Sequence, residues 1–154
     1  MLASASAILA LILSWTNYQD WFPTMTPVAA QVRFEVRLAE GHAVPGLRVE
    51  QVGDSRSLIY LHMETVVGND DIARAWVVDD GSPRFGVGVQ LQPGGAARMR
   101  QATADHIGRP VAILIDGTVV MAPIVRSPIG DSAVISGRFT REEAERIAAG
   151  IDGR

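Results

Sequence analysis

The chain has 154 residues, a length that suits one domain with a short appendage and is enough to bury a core without metals or disulfides. Apolar residues make up 47% and charged residues 20%, a globular balance that excludes wholesale disorder, and the net charge of -3 argues against nucleic acid as a partner. Cysteine is absent, which excludes disulfides, thiolate catalysis, cysteine zinc sites and an acylated lipoprotein anchor.

There is no lysine; the arginines are scattered rather than clustered, as a composition bias would leave them. From Met1 to Gln19 no residue is charged, and Ala7 to Trp15 is an apolar run. That run is shorter than the about 20 apolar residues of a spanning helix and fits the apolar core of a signal peptide, with Val28-Ala29-Ala30 as a cleavage site. No basic residue precedes it, and the cleavage site lies far beyond its end. An uncleaved anchor, with Trp15, Tyr18, Trp21 and Phe22 at the membrane interface, therefore competes with cleavage. Residues 1–30 are expected to be a signal peptide or membrane anchor plus a Pro23- and Pro27-containing linker. Residues 31–154 would then fold on the periplasmic or extracellular side, touching the membrane only through an uncleaved leader.

Val32 to Leu38 alternates apolar and charged residues, the pattern of a half-buried strand. Glu40 to Ser57 is expected to be loop with a short strand at Leu47 to Val52, and Ser57 to His62 a second strand. Asp70 to Val78 suggests a helical turn running into a strand from Ala75. Arg84 to Leu91 alternates again, with Gly86 and Gly88 allowing close backbone approach. Pro93 to Ile107 predicts a helix with Ala96, Met99, Thr103 and Ile107 on one stripe and Gly108 as its stop. Val111 to Ile115 is the continuous apolar run of a central strand, and Asp116-Gly117 predicts a type I′ hairpin returning through Thr118 to Ala122. Ser132 to Ser136 predicts a last strand. Thr140 and Glu143 form a capping box, followed by a buried stripe of Ala144, Ile147, Ala148 and Ile151, with Gly150 or Gly153 ending the helix. The element order implies an α+β domain, a mostly antiparallel sheet with two helices packed on one face.

Chemistry-bearing patterns are sparse. Gly53-Asp54-Ser55 matches the nucleophile core of one esterase family, but the late Asp-x-x-His that would complete it is missing, so a turn is expected. Glu64, Asp70 and Asp71 with Asn69 do not match a calcium loop, and a solvated loop with Asn69 as a cap is the expectation. His42, His62 and His106 lack metal-ligand spacing and are expected at the surface or an edge, with a site assembled by folding left open. Gly94-Gly95 lacks a phosphate-loop lysine and reads as a tight strand-to-helix turn. No catalytic residue, metal or cofactor is assigned.

The C-terminal half carries an ordered set of matches. It runs through Gly95, Thr103, Gly108, Asp116, Gly117, Ala122, Pro123, Gly137, Phe139, Thr140 and Glu143, in the frame helix, Ile-Gly, AI-x-x-DG, AP, ISG-x-FT-x-x-EA. Over about residues 84–151 it resembles the head subdomain of the first periplasmic domain of SecD and SecDF, accessory subunits of the protein-export machinery. Met99 stands where that family often has an aromatic, and Pro110 follows Gly108 more abruptly than usual. The resemblance implies a non-enzymatic extracytoplasmic module, with unfolded or translocating polypeptide, or export and envelope proteins, as partners. SecD-type subunits carry several membrane helices for proton flow; this chain shows at most one, so a head without its motor is expected. Two alternatives stay open: a small envelope hydrolase using Ser55 or the acidic cluster, and a structural module that oligomerises through a strand edge.

Overall fold

The computed structural model describes residues 32–79, 81 and 83–152. The expected leader or anchor over residues 1–30 lies outside the described residues. Among the described residues no helix is long and apolar enough to cross a membrane.

Eight strands and two helices are described: β1 Phe34–Glu40, β2 Arg48–Gln51, β3 Leu58–Gly68, β4 Ile72–Asp79, β5 Phe85–Leu91, α1 Pro93–Ala104, β6 Val111–Ile115, β7 Thr118–Met121, β8 Ser132–Phe139 and α2 Arg141–Asp152. The fold is α+β and its strand pairs are antiparallel, divided between two sheets. The larger runs β2-β3-β1-β6-β7 and the smaller β4-β5-β8. Each helix leans mainly on its own sheet, α1 on β3 and α2 on β4 and β5.

Alternation decides what each strand buries. On β5, Val87, Val89 and Leu91 enter the main core, where they meet Phe34 and Val36 of β1 and the α2 stripe Ala144, Ile147, Ala148 and Ile151. Each of the valine, leucine, isoleucine and phenylalanine side chains contributes on the order of 2 kcal/mol of burial. On the opposite face of β5, the Trp76 ring lies against Gly88, where a Cβ would fall 2.3 Å from a ring carbon. Strand β6 is buried on both faces: Val111, Ile113 and Ile115 point into the main core, Ala112 and Leu114 into a second cluster with Ala39, Ile59, Leu61 and Val119. Two buried faces are why it reads as a continuous apolar run.

Beyond it, Asp116 and Gly117 both take positive φ, 51° and 82°, as the hairpin requires. Asp116 also clasps the start of β1: its Oδ1 accepts from the Arg33 amide at 2.9 Å, and its own amide donates to the Arg33 carbonyl at 2.8 Å.

Several expected boundaries move. Strand β3 runs on to Gly68; its second half escapes the sequence pattern because it carries the extra residues where its register against β1 shifts, at Val36/Arg37 and Arg37/Ala39, and these bulges break the alternation that marks a strand. Strand β4 begins at Ile72, directly after a single 3-10 turn at Asn69–Asp71. Helix α1 stops at Ala104, so Ile107 leaves the buried stripe and is 54% exposed, while Ala96, Met99 and Thr103 are buried. Gly108, beyond the turn, holds φ at 83°. Gly150 is a buried interior residue of α2, not its stop.

Candidate functional site

Strands β7 and β8 are each the last strand of their sheet, and they face one another across an open groove of about 760 Å³. A strand at a sheet edge turns alternate backbone N–H and C=O groups outward, away from its one partner. The loop after β2 closes one side: the Gly53 amide donates to the Val119 carbonyl at 2.8 Å. Met121, Ala122, Pro123 and Phe139 supply apolar lining, and the exposed residues Asp54, Arg84 and Arg138 supply charge around it.

The family-signature residues divide into two groups. Ala122, Pro123, Gly137, Phe139 and Glu143 all line this groove. Gly137 is there to make room: a Cβ on it would fall 2.4 Å from the Phe139 ring. Glu143 accepts the Thr140 amide at 2.9 Å, and Thr140 Oγ1 accepts the Glu143 amide at 3.2 Å, the capping box that starts α2 at the groove.

The others are remote and hold the scaffold. Thr103 is fully buried; its hydroxyl donates to the Met99 carbonyl at 2.7 Å and accepts the Ile129 amide at 2.8 Å, fastening α1 to the loop before β8. Gly95 packs so closely on the turn before β4 that a Cβ would sit 2.7 Å from Asp71 Cβ. The Gly108 amide donates to the Val125 carbonyl at 2.8 Å, and Asp116-Gly117 make the hairpin turn.

Ser55 borders the groove but is engaged as a turn residue. Its Oγ donates to the Val52 carbonyl at 2.6 Å and accepts the Ser57 amide at 3.2 Å. The acidic segment is structural as well. Asn69 Oδ1 accepts the Phe34 amide and its Nδ2 donates to the Val32 carbonyl, both at 2.9 Å. Asp71 pairs with Arg98 and accepts the Gly68 amide at 3.1 Å. Asp70 and Glu64 are exposed, and no cluster of three or more His, Asp or Glu among the described residues is placed to hold a metal ion.

A second constellation escapes sequence reading. Glu40 is only 6% exposed and its Oε1 meets His62 Nε2 at 3.2 Å and Arg109 Nη1 at 3.1 Å. His106 lies edge-on to His62 with ring centroids 6.0 Å apart. Contrary to the expected surface position, His106 is 1% exposed, because its Nε2 sits 2.8 Å from the Ala39 carbonyl and 3.1 Å from that of Pro110, where its proton is shared. Burial pushes the Glu40 carboxyl up, but the His62 hydrogen bond and the nearby positive charge of Arg109, with the histidines, outweigh it and hold the pKa below its ordinary value. A depressed carboxylate pKa contributes stability above the unfolded pKa and loses it as pH falls through the folded one. Thermal melts of the chain and of Glu40→Gln should therefore differ most at neutral pH and converge as pH falls below about 4.5, the ordinary value. A gap that stays constant into acid would show that the carboxylate charge is not what stabilises the cluster.

Taken together, the geometry defines an α+β domain of two antiparallel sheets, with an open groove between their facing edges. The chain belongs to the family of the SecDF P1 head subdomain, whose model matches residues 47–153. The match begins well before residue 84, taking in β2 to β4, where the sequence resemblance is loose. The chain is 42% identical over 86 residues to the protein translocase subunit SecD of Rhodobacter capsulatus, 54% of this chain and 15% of that protein. Against SecD of Aquifex aeolicus it is 33% identical over 95 residues, 62% of this chain and 19% of that protein. A crystal structure of SecDF in its super-membrane-facing form superposes with a TM-score of 0.66 at 27% identity, over 81% of this chain and 19% of that one. A structure described as a membrane component SecDF that enhances protein export shares the fold, with a TM-score of 0.64 at 24% identity over 81% of this chain and 64% of that one. The chain thus spans less than a fifth of the SecD and SecDF proteins it matches first.

Proposed function

We propose that this chain is an extracytoplasmic, non-enzymatic head domain that captures an unfolded or translocating polypeptide during protein export. The observation that carries the reading is the groove between the edges of β7 and β8. Edge strands offer backbone groups that an added extended chain can bond, here beyond the Val119 carbonyl that the Gly53 amide already holds, and recognition of backbone rather than side chains suits a domain that must accept many sequences. The apolar lining of Met121, Ala122, Pro123 and Phe139 favours segments that folding would bury. The kinship with SecD and SecDF supports the export setting and the periplasmic side.

The test is binding of the purified chain to a fluorescent unfolded secretory polypeptide, with its folded form as control. Preference for the unfolded form is expected, and Ala122→Asp should weaken it on the order of tenfold by placing a charge in the apolar lining. A short bound segment methylated on alternate backbone nitrogens should lose most of its affinity. Equal binding of folded and unfolded forms, or indifference to Ala122→Asp, would remove the reading.

A further inference from the structure

At the opposite end of the larger sheet lies a third edge, β2, which among the described residues has β3 as its only strand partner. Edge strands commonly carry like charges or proline that discourage pairing. Strand β2 reads Arg48-Val49-Glu50-Gln51, with opposite charges two residues apart around a valine that is 51% exposed. We propose that β2 is a self-complementary contact through which two copies of this chain pair, edge to edge and antiparallel about a two-fold axis at Val49.

The charge pattern selects that register. A two-fold axis perpendicular to the joined sheet keeps each side chain on its own face, so residues that oppose each other must share a face. The axis must then pass through a residue and not between two. Centred on Arg48, it sets arginine against arginine; centred on Glu50, glutamate against glutamate. Centred on Val49, it sets Arg48 of each copy against Glu50 of the other and brings the two Val49 side chains together at the axis. Like charges directly opposite destabilise a strand pair and unlike charges stabilise it, so the third register wins. Within one chain Arg48 Nε already meets Glu50 Oε1 at 2.9 Å, with the Arg48 and Glu50 side chains 51% and 32% exposed. Pairing joins two such ion pairs into one four-charge network. Leu58, 54% exposed and opposite Gln51, extends the apolar stripe on the Val49 face. The contact is short, four residues a side, so the dimer is a weak one, formed at high local concentration.

Charge reversal tests the register without touching the core. Sedimentation equilibrium of the full chain, from about 10 μM to about 1 mM, should show a reversible monomer–dimer equilibrium. Arg48→Glu and Glu50→Arg, each alone, replace both attractive pairs with repulsive ones and should raise the dissociation constant on the order of tenfold or more. An equimolar mixture of the two variants restores opposite charges across the axis and should recover wild-type association as a heterodimer. Circular dichroism confirms that each variant is folded. A wild-type chain that stays monomeric at about 1 mM, single variants that dimerise as well as the wild type, or a mixture that fails to recover would each overturn the proposal.

Discussion

Asn69→Leu is expected to destabilise the domain by about 3 kcal/mol and lower its melting temperature by about 10 °C. Leucine fills nearly the same space, so the loss is one of hydrogen bonding. Asn69 Oδ1 takes the Phe34 amide at 2.9 Å, and Nδ2 gives to the Val32 carbonyl at 2.9 Å and to the Ile151 carbonyl at 3.4 Å. Val32 and Phe34 are each 2% exposed, so water cannot replace the missing partner. Each backbone group left unsatisfied there costs about 1–3 kcal/mol. The neighbouring Asp70→Ala, at an exposed side chain, should stay within about 0.5 kcal/mol of the wild type. Equal small effects from the two would mean that the turn is a solvated loop and that Asn69 bridges nothing. Equilibrium denaturation in urea separates these outcomes.

The sequence does mark Asn69 as a polar cap, but its role is to join β1 to the end of α2, and nothing local announces that. The same division runs through the fold. The Asp116-Gly117 hairpin, the Thr140–Glu143 capping box and the α2 stripe are legible because each is decided by residues within a few positions of one another. The split into two sheets is not, because it depends on β1 pairing with β6, as in Phe34 with Ile115, across most of the domain. Periodicity identifies a strand and is silent about its neighbour. Where pairing is irregular, even the strand fades: the bulges that set Arg37 against Thr65 and Ala39 against Leu61 hide the second half of β3.

The groove shows both sides of this. Ala122, Pro123, Gly137, Phe139 and Glu143 stand out in the sequence as turns, caps and core positions, yet that they line one groove follows from β7 and β8 ending different sheets. Asp54, Arg84 and Arg138 join them from a turn, the bend before β5 and strand β8, and nothing in the local sequence of each relates it to the others. The Glu40, His62, His106 and Arg109 cluster gathers residues spread from 40 to 109, and no spacing rule relates them. Burial of His106 follows from two carbonyls that its Nε2 proton satisfies, one of them 67 residues away.

Gly150→Val is expected to cost about 3 kcal/mol, for a reason helix propensity alone would predict with the wrong sign. In the middle of a helix, replacing glycine with a residue that has a side chain usually stabilises, by up to about 1 kcal/mol for alanine. Here the helix is pressed onto the entrance of β1. A Cβ on Gly150 would fall 2.4 Å from Val32 Cγ2 and 2.9 Å from both Val32 Cβ and the Val32 backbone nitrogen. That nitrogen donates to the Gly150 carbonyl at 3.2 Å, so relieving the overlap means lengthening the bond that holds the two segments together. Gly150→Ala should therefore also destabilise, by about 1–2 kcal/mol, whereas Gly130→Ala, with nothing within 4 Å of its new Cβ, should be nearly neutral. Combining Gly150→Ala with Val32→Ala removes the Cγ2 overlap but leaves the approaches to Cβ and the backbone nitrogen, so the pair should be less damaging than the sum of the two single changes. Strict additivity would place the strain elsewhere. Asn69 and Gly150 thus act on one residue from opposite sides: the side chain of one bonds Val32, and the bare backbone of the other lets α2 reach it.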